Sequence, residues 1–266
     1  MSCPSATLTV WTSAWLAGAA APDDVLDALV PWAEAHDVQA ADADTAERTA
    51  LSPPGAPVSS VTFLLAALRR LGGDGSAARL VLPAPGDVRG LPGPGDFSRE
   101  ATAAGEGVLF ADAGIGLVPN TVADGVLRWT VYPVTEPGPP PEFVALGQAE
   151  TDLRDQVRRS ASVLTSLGVA RHRPGVREEI AAALRARPRS MWPAGMPGQA
   201  LRVLQHADEV EAILAAASGD DPGGALSASA ATARRDALRP IESAVRVARR
   251  AAVAEAVRVL AASPLV

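Results

Sequence analysis

Five prolines crowd into the nine residues from Pro133 to Pro141. No α-helix or interior strand crosses such a stretch, because each proline lacks an amide donor and fixes φ. The 266-residue chain is therefore read as two parts joined by a stiff, extended connector. Composition changes across it. Residues 1–140 hold 7 Arg and 16 acidic residues, net −9, whereas residues 141–266 hold 17 Arg and 14 acidic residues, net +3. Four of the five tryptophans, the one tyrosine and nearly every strand-like run precede the connector. The sequence predicts an α/β domain with a small layered, mixed sheet over 1–133, a Pro-rich connector over 134–141, and an all-α helical domain over 142–266.

Within the first part, Ala6–Trp11 and Val38–Ala43 read as strands, with a helix opened between them by Pro22-Asp23-Asp24. After Pro57, the spacing of Val61, Leu64, Leu65, Leu68 and Leu71 predicts an amphipathic helix that stops at Gly72-Gly73. Residues 79–82, 108–111 and 126–131 read as strands, Phe97–Ala104 as a short helix, and 112–120 as a loop. A parallel part of the sheet is expected. Beyond the connector only helices are expected: one through Phe143–Leu167, a short one around Ile180, one from Leu201 to about Ser218, and one from about Leu226 to Ala262. Pro240 should kink or split the last.

All 24 basic residues are arginine, with no lysine, which removes Schiff-base chemistry, lysine general bases and the Walker phosphate-gripping lysine. One Asn and four Ile among abundant Ala, Gly, Pro, Val and Arg point to G+C-rich bacterial codons as the origin. A single cysteine, Cys3, excludes an intrachain disulfide and a thiolate metal cluster. The apolar first 22 residues lack the positive charge of a secretory leader, since the first arginine is Arg48, and no apolar run is long enough to span a membrane. A cytoplasmic protein is expected. The acidic whole, net −6, argues against nucleic acid.

Loop chemistry offers one ligand site. If strands 80–82 and 108–111 are parallel neighbours, Asp87, Arg89 and Asp112 meet at their carboxyl ends, where open α/β sheets bind ligands. Turn formation by Asp and Gly is the competing explanation. No metal and no cofactor is assigned: His206 and Glu209 share a helix face without a third ligand, and His36 and His172 lack partners at ligand spacing. Ser76 lacks the strand-to-helix elbow of an activated nucleophile. Met191, Trp192 and Met196 lie in a Pro/Gly loop suited to a pliable apolar contact, and Arg246 and Arg250 belong to an arginine-rich last helix. These five are candidate partner-binding residues for a homo-oligomer or a protein partner. The leading function is non-catalytic binding or self-association, with small-ligand sensing by the α/β domain. The alternative is a lysine-independent hydrolase or transferase centred on Asp87, Arg89 and Asp112; a third is a nucleic-acid-associated regulator using the last helix.

Overall fold

The chain opens with a helix where a strand is predicted. In a computed structural model, which describes residues 3–72, 78–136, 138, 143–166, 175–186, 192–218 and 228–262, α1 occupies Pro4–Leu16. Pro4 at its first position sets the helical φ. Thr9 and Thr12 are strand formers, but here their hydroxyls donate back to the carbonyls of Ser5 (2.6 Å) and Leu8 (2.5 Å), so they are satisfied within the helix. Small Ser, Thr and Ala side chains let neighbours close in, and every residue from Pro4 to Trp15 is buried. Tertiary burial on all sides thus overrides a local strand preference.

Helix α2 (Pro22–Leu29) starts as expected, with Asp24 accepting from the Ala21 amide at 2.8 Å, and stops ahead of Pro31. Strand β1 (Ala35–Ala40) lies three residues earlier than predicted, because Asp42 caps a further helix, α3 (Ala43–Thr49), by accepting from the Thr45 amide at 2.7 Å. The two-residue β2 (Ser59–Ser60) leads into α4 (Val61–Arg70), the predicted amphipathic helix, with Val61, Leu64, Leu65 and Leu68 buried. Next come β3 (Ala78–Val81), α5 (Asp96–Ala104), β4 (Gly107–Phe110), β5 (Ile115–Ala123) and β6 (Val126–Pro133).

These strands form one mixed sheet in the order β2-β1-β6-β5-β4-β3. Only β1 and β6 run parallel, with Val38 opposite Trp129; the other neighbours are antiparallel. The expected parallel pairing of β3 with β4 does not form: Ala78 lies opposite Phe110 and Val81 opposite Gly107. Residues 115–123, of which 115–120 read from sequence as loop, are the long central partner of both β4 and β6. Gly114, at φ 62°, turns β4 tightly into β5, so this stretch is a hairpin turn.

The large core lies on one sheet face, where Leu8, Trp11 and Trp15 of α1, Val25 and Leu29 of α2 and Leu64 and Leu68 of α4 meet Phe110, Leu117 and Trp129. A smaller core on the other face joins Val81, Leu109 and Val118 to Phe97 and Ala101 of α5. Gly116 makes this packing possible, because a methyl there would overlap the Phe97 ring.

Beyond the connector the described elements are helical: α6 (Leu146–Ser166), α7 (Val176–Ala186), α8 (Gly198–Ser218) and α9 (Ala228–Ala261). Pro240 does not split α9, which runs through it with Pro240 exposed. Leu167, Gly168, Pro188 and residues 219–224 lie outside the described residues. Arg249 of α9, only 5% exposed, reaches Asp208 (2.6 Å) and Glu211 (3.2 Å) of α8, and Arg234 donates to the Ala217 carbonyl at the end of α8 (2.7 Å). The chain divides into two compact units. The sheet unit contains residues 2–142, 189–197 and 253–266; the helical unit contains 143–188 and 198–252.

Candidate functional site

A groove of about 550 Å³ lies between the loop after β3 and the first turns of α5. The loop is shaped by its own backbone. Ala84 and Asp87 exchange amide-to-carbonyl hydrogen bonds of 2.9 and 2.8 Å around Gly86, at φ 82°, and the Leu91 amide donates to the Val88 carbonyl at 3.1 Å. Glycines then carry the chain to α5, whose Ser98 hydroxyl donates back to the Gly93 carbonyl and fixes the loop against the helix. Val88, Leu91, Pro94, Ser98, Arg99 and Thr102 line the groove.

The charges around this groove are already engaged. The Arg89 guanidinium grips the Asp87 carboxylate with two bonds, Nε at 2.7 Å and Nη2 at 2.8 Å. Arg99 at the rim donates to Glu100 (3.1 Å) and pairs with Asp96 (2.9 Å); the Glu100 hydrogen bond and the Asp96 charge push its already high pKa further up. Tyr132, packed against the smaller core, is pushed up first by burial and then by Glu100, so its phenol stays protonated at neutral pH. The groove can therefore hold a ligand by shape and by its apolar lining. The carboxylate in its lining, Asp96, is exposed and paired with Arg99.

Asp112 is exposed in the β4–β5 turn. Because β3 and β4 are antiparallel, the end of β4 lies beside Ala78, at the opposite end of the pair from the loop carrying Asp87 and Arg89. The structure brings Asp87 and Arg89 together and separates Asp112 from both. Sequence reasoning missed the groove's apolar lining. Val88 and Leu91 were the available signal, two apolar residues held among glycines and prolines that read as loop punctuation.

The partner-binding candidates divide similarly. Met191 lies outside the described residues, as do His172 and Ser76. Met196 is buried, 8% exposed, next to Gly195, whose position approaches Leu260 of α9; it is therefore a packing residue and not an open contact surface. Trp192 is half-buried. Arg246 and Arg250 are half-buried and each has interactions within the protein. Arg239 and Arg258 pair with Asp236 (3.0 Å) and Glu255 (2.6 Å) on their own helix. His206 is half-buried and Glu209 exposed; among the described residues no three His, Cys, Asp or Glu gather as metal ligands. No described helix is long and apolar enough to cross a membrane.

Two family models match in sequence: the Rv1486c-like protein N-terminal domain over residues 5–146 and the Rv1486c-like protein C-terminal domain over residues 147–250. The chain is 40% identical to "Uncharacterized protein Rv1486c" of Mycobacterium tuberculosis, covering 95% of this chain and 96% of that protein. It is 34% identical to "Uncharacterized protein ML1804" of Mycobacterium leprae, covering 95% and 97%. With "Uncharacterized protein MAV321" of Mycobacterium avium it shares 35% identity over 95% and 97%. No solved structure matches.

Proposed function

From the premise that this chain belongs to the Rv1486c-like protein family, we propose that it is a non-catalytic, cytoplasmic binding module whose α/β part senses a small ligand and whose helical part self-associates. The ligand-sensing half follows from the groove beside α5: it is lined by Val88, Leu91, Pro94 and Thr102, while Asp87, Arg89, Asp96 and Arg99 are engaged with one another or with Glu100. Such a site favours binding over chemistry. The alternative of a hydrolase or transferase needs Asp112 beside Asp87, and the antiparallel β3–β4 pairing holds them apart. Self-association draws support from α7, which has apolar Val176, Ile180 and Leu184 on one face yet no buried residue among those described, and from exposed Val163 and Ile213.

Thermal-shift measurements of the full chain against small apolar fragments test the groove. We expect some to raise Tm for the wild type and none to do so for Thr102→Trp, which fills the space. Fragments that stabilise both equally, or none at all, sink the sensing role. Light scattering across a concentration series tests self-association, and a mass that stays monomeric removes it.

A further inference from the structure

His36, the second residue of β1, lies opposite Leu127 of the parallel β6 and is held from two sides. The indole N–H of Trp129 donates to His36 Nδ1 at 3.2 Å, with the two rings nearly parallel, 20° apart. His36 Nε2 lies 2.9 Å from the carbonyl oxygen of Leu29, the last residue of α2. An indole nitrogen can only donate and a carbonyl can only accept. His36 must therefore keep a lone pair on Nδ1 and a proton on Nε2, the neutral Nε2–H tautomer. Trp129 is fully buried, so its N–H cannot turn to water.

The charged surroundings do little to favour the imidazolium. On β1, Asp37 favours it, but Asp37 pairs with Arg128 of β6 at 3.3 Å. Asp23, Asp24 and Asp27 of α2 are exposed, as are Asp44 and Glu47 of α3. On α4, Arg69 stacks over Trp15 at 4.5 Å and Arg70 donates to the Arg48 carbonyl. Burial outweighs the Leu29 carbonyl and Asp37, and holds the His36 pKa below 6.5.

We propose that His36 is a proton-gated latch on the segment joining α2 to β1, residues 30–35. A proton taken from solvent at Nδ1 sets imidazolium and indole N–H groups against each other. His36 then leaves its place between Trp129 and Leu29, and the 30–35 segment loosens. That segment carries exposed Val30 and half-buried Trp32, whose indole is otherwise tied to the Thr7 hydroxyl at 3.0 Å. The sign follows from proton linkage: the closed form binds fewer protons than the open form, so the latch is closed above pH 6.5 and opens as pH falls below it.

Amide hydrogen exchange of residues 22–36 in the full chain, corrected for intrinsic rates, tests the latch. With an ordinary histidine in the open form, the open population rises up to about ten-fold between pH 7.5 and 5.5. His36→Gln offers an amide oxygen to Trp129 and an NH2 to Leu29 without a titrating proton, and its exchange should stay flat. Unchanged wild-type exchange, or equal pH dependence in His36→Gln, overturns the proposal. Nitrogen-15 spectra of the wild type need no variant. They should show the Nε2–H tautomer at pH 7.5 and a Trp129 indole resonance that moves with His36 titration; an Nδ1–H tautomer or an unmoved indole also overturns it.

Discussion

The sheet unit and the helical unit bury different kinds of side chain. Of the twelve largest fully buried side chains among the described residues, which include Trp129, Phe110, Leu64 and Leu109, only Leu153 belongs to the helical unit. In the helical unit alanines, Ala149, Ala200, Ala207, Ala212, Ala216, Ala248, Ala251 and Ala252, make up half of the buried apolar residues described, the other half being Val, Leu and Ile. Alanine brings helices close but removes little apolar surface from water, so each buried residue contributes less. The sheet unit should be the stable body, intolerant of lost volume. The helical unit leans on arginine geometry and should open first.

Its tryptophans make this contrast measurable, because Trp11, Trp15, Trp32, Trp129 and Trp192 all belong to the sheet unit. Urea unfolding followed by fluorescence reports that unit, whereas far-UV circular dichroism is weighted towards the helices. Two separated transitions are expected, the dichroism one at lower urea; coincident curves would break the comparison. The largest effect should come from Trp129→Ala, which empties the centre of the core and lowers the fluorescence transition by about 3–5 kcal/mol. A loss below about 1 kcal/mol would show the core to be loosely packed.

Arg249→Ala should come next, lowering the dichroism transition by about 1–3 kcal/mol, less than a fully buried pair because Asp208 is 44% exposed. Fluorescence should not move. The same pair sets an acid limit. Burial raises Glu211, but opposing charge and hydrogen bonds, those of Arg249 foremost, together outweigh it and hold its pKa below 4.5. The unfolded chain therefore binds the proton first, so this contribution is complete above pH 4.5 and fades as pH falls through the lower folded value. Dichroism-monitored acid titration should show that loss in the wild type and a smaller one in Arg249→Ala. The smallest effect belongs to Ile180→Ala on α7, half-buried at best, at less than about 1 kcal/mol. A larger loss would mean that α7 is packed in solution, as a second copy laid against it would cause.

Legibility in the sequence followed the range of the interactions. Helix α4 was readable because Val61, Leu64, Leu65 and Leu68 repeat within ten residues, and α2 because its first turn carries its own cap. Helix α1 was not, since Thr-Leu-Thr-Val favours a strand until neighbours enclose it on every side. Strand β5 was missed because Gly116, Pro119 and Asn120 break its local pattern, although β4 and β6 on both flanks hold it in place. The Asp87–Arg89 pair was readable at a separation of two residues, while the placement of Asp112 depended on strand direction.

By itself the sequence determined a proline-dense stretch at Pro133–Pro141 closed to helix and interior strand, the amphipathic helices, and a basic chemistry confined to arginine. Each is local: a proline's missing donor, a 3.6-residue period, a side chain's own functional group. Only the tertiary structure decided which strands pair and in which direction, which arginines are consumed by carboxylates, and that Trp129 meets His36 across 93 residues of chain. Those contacts depend on where distant segments bury their apolar faces, and the energy of burial is proportional to area and indifferent to sequence separation.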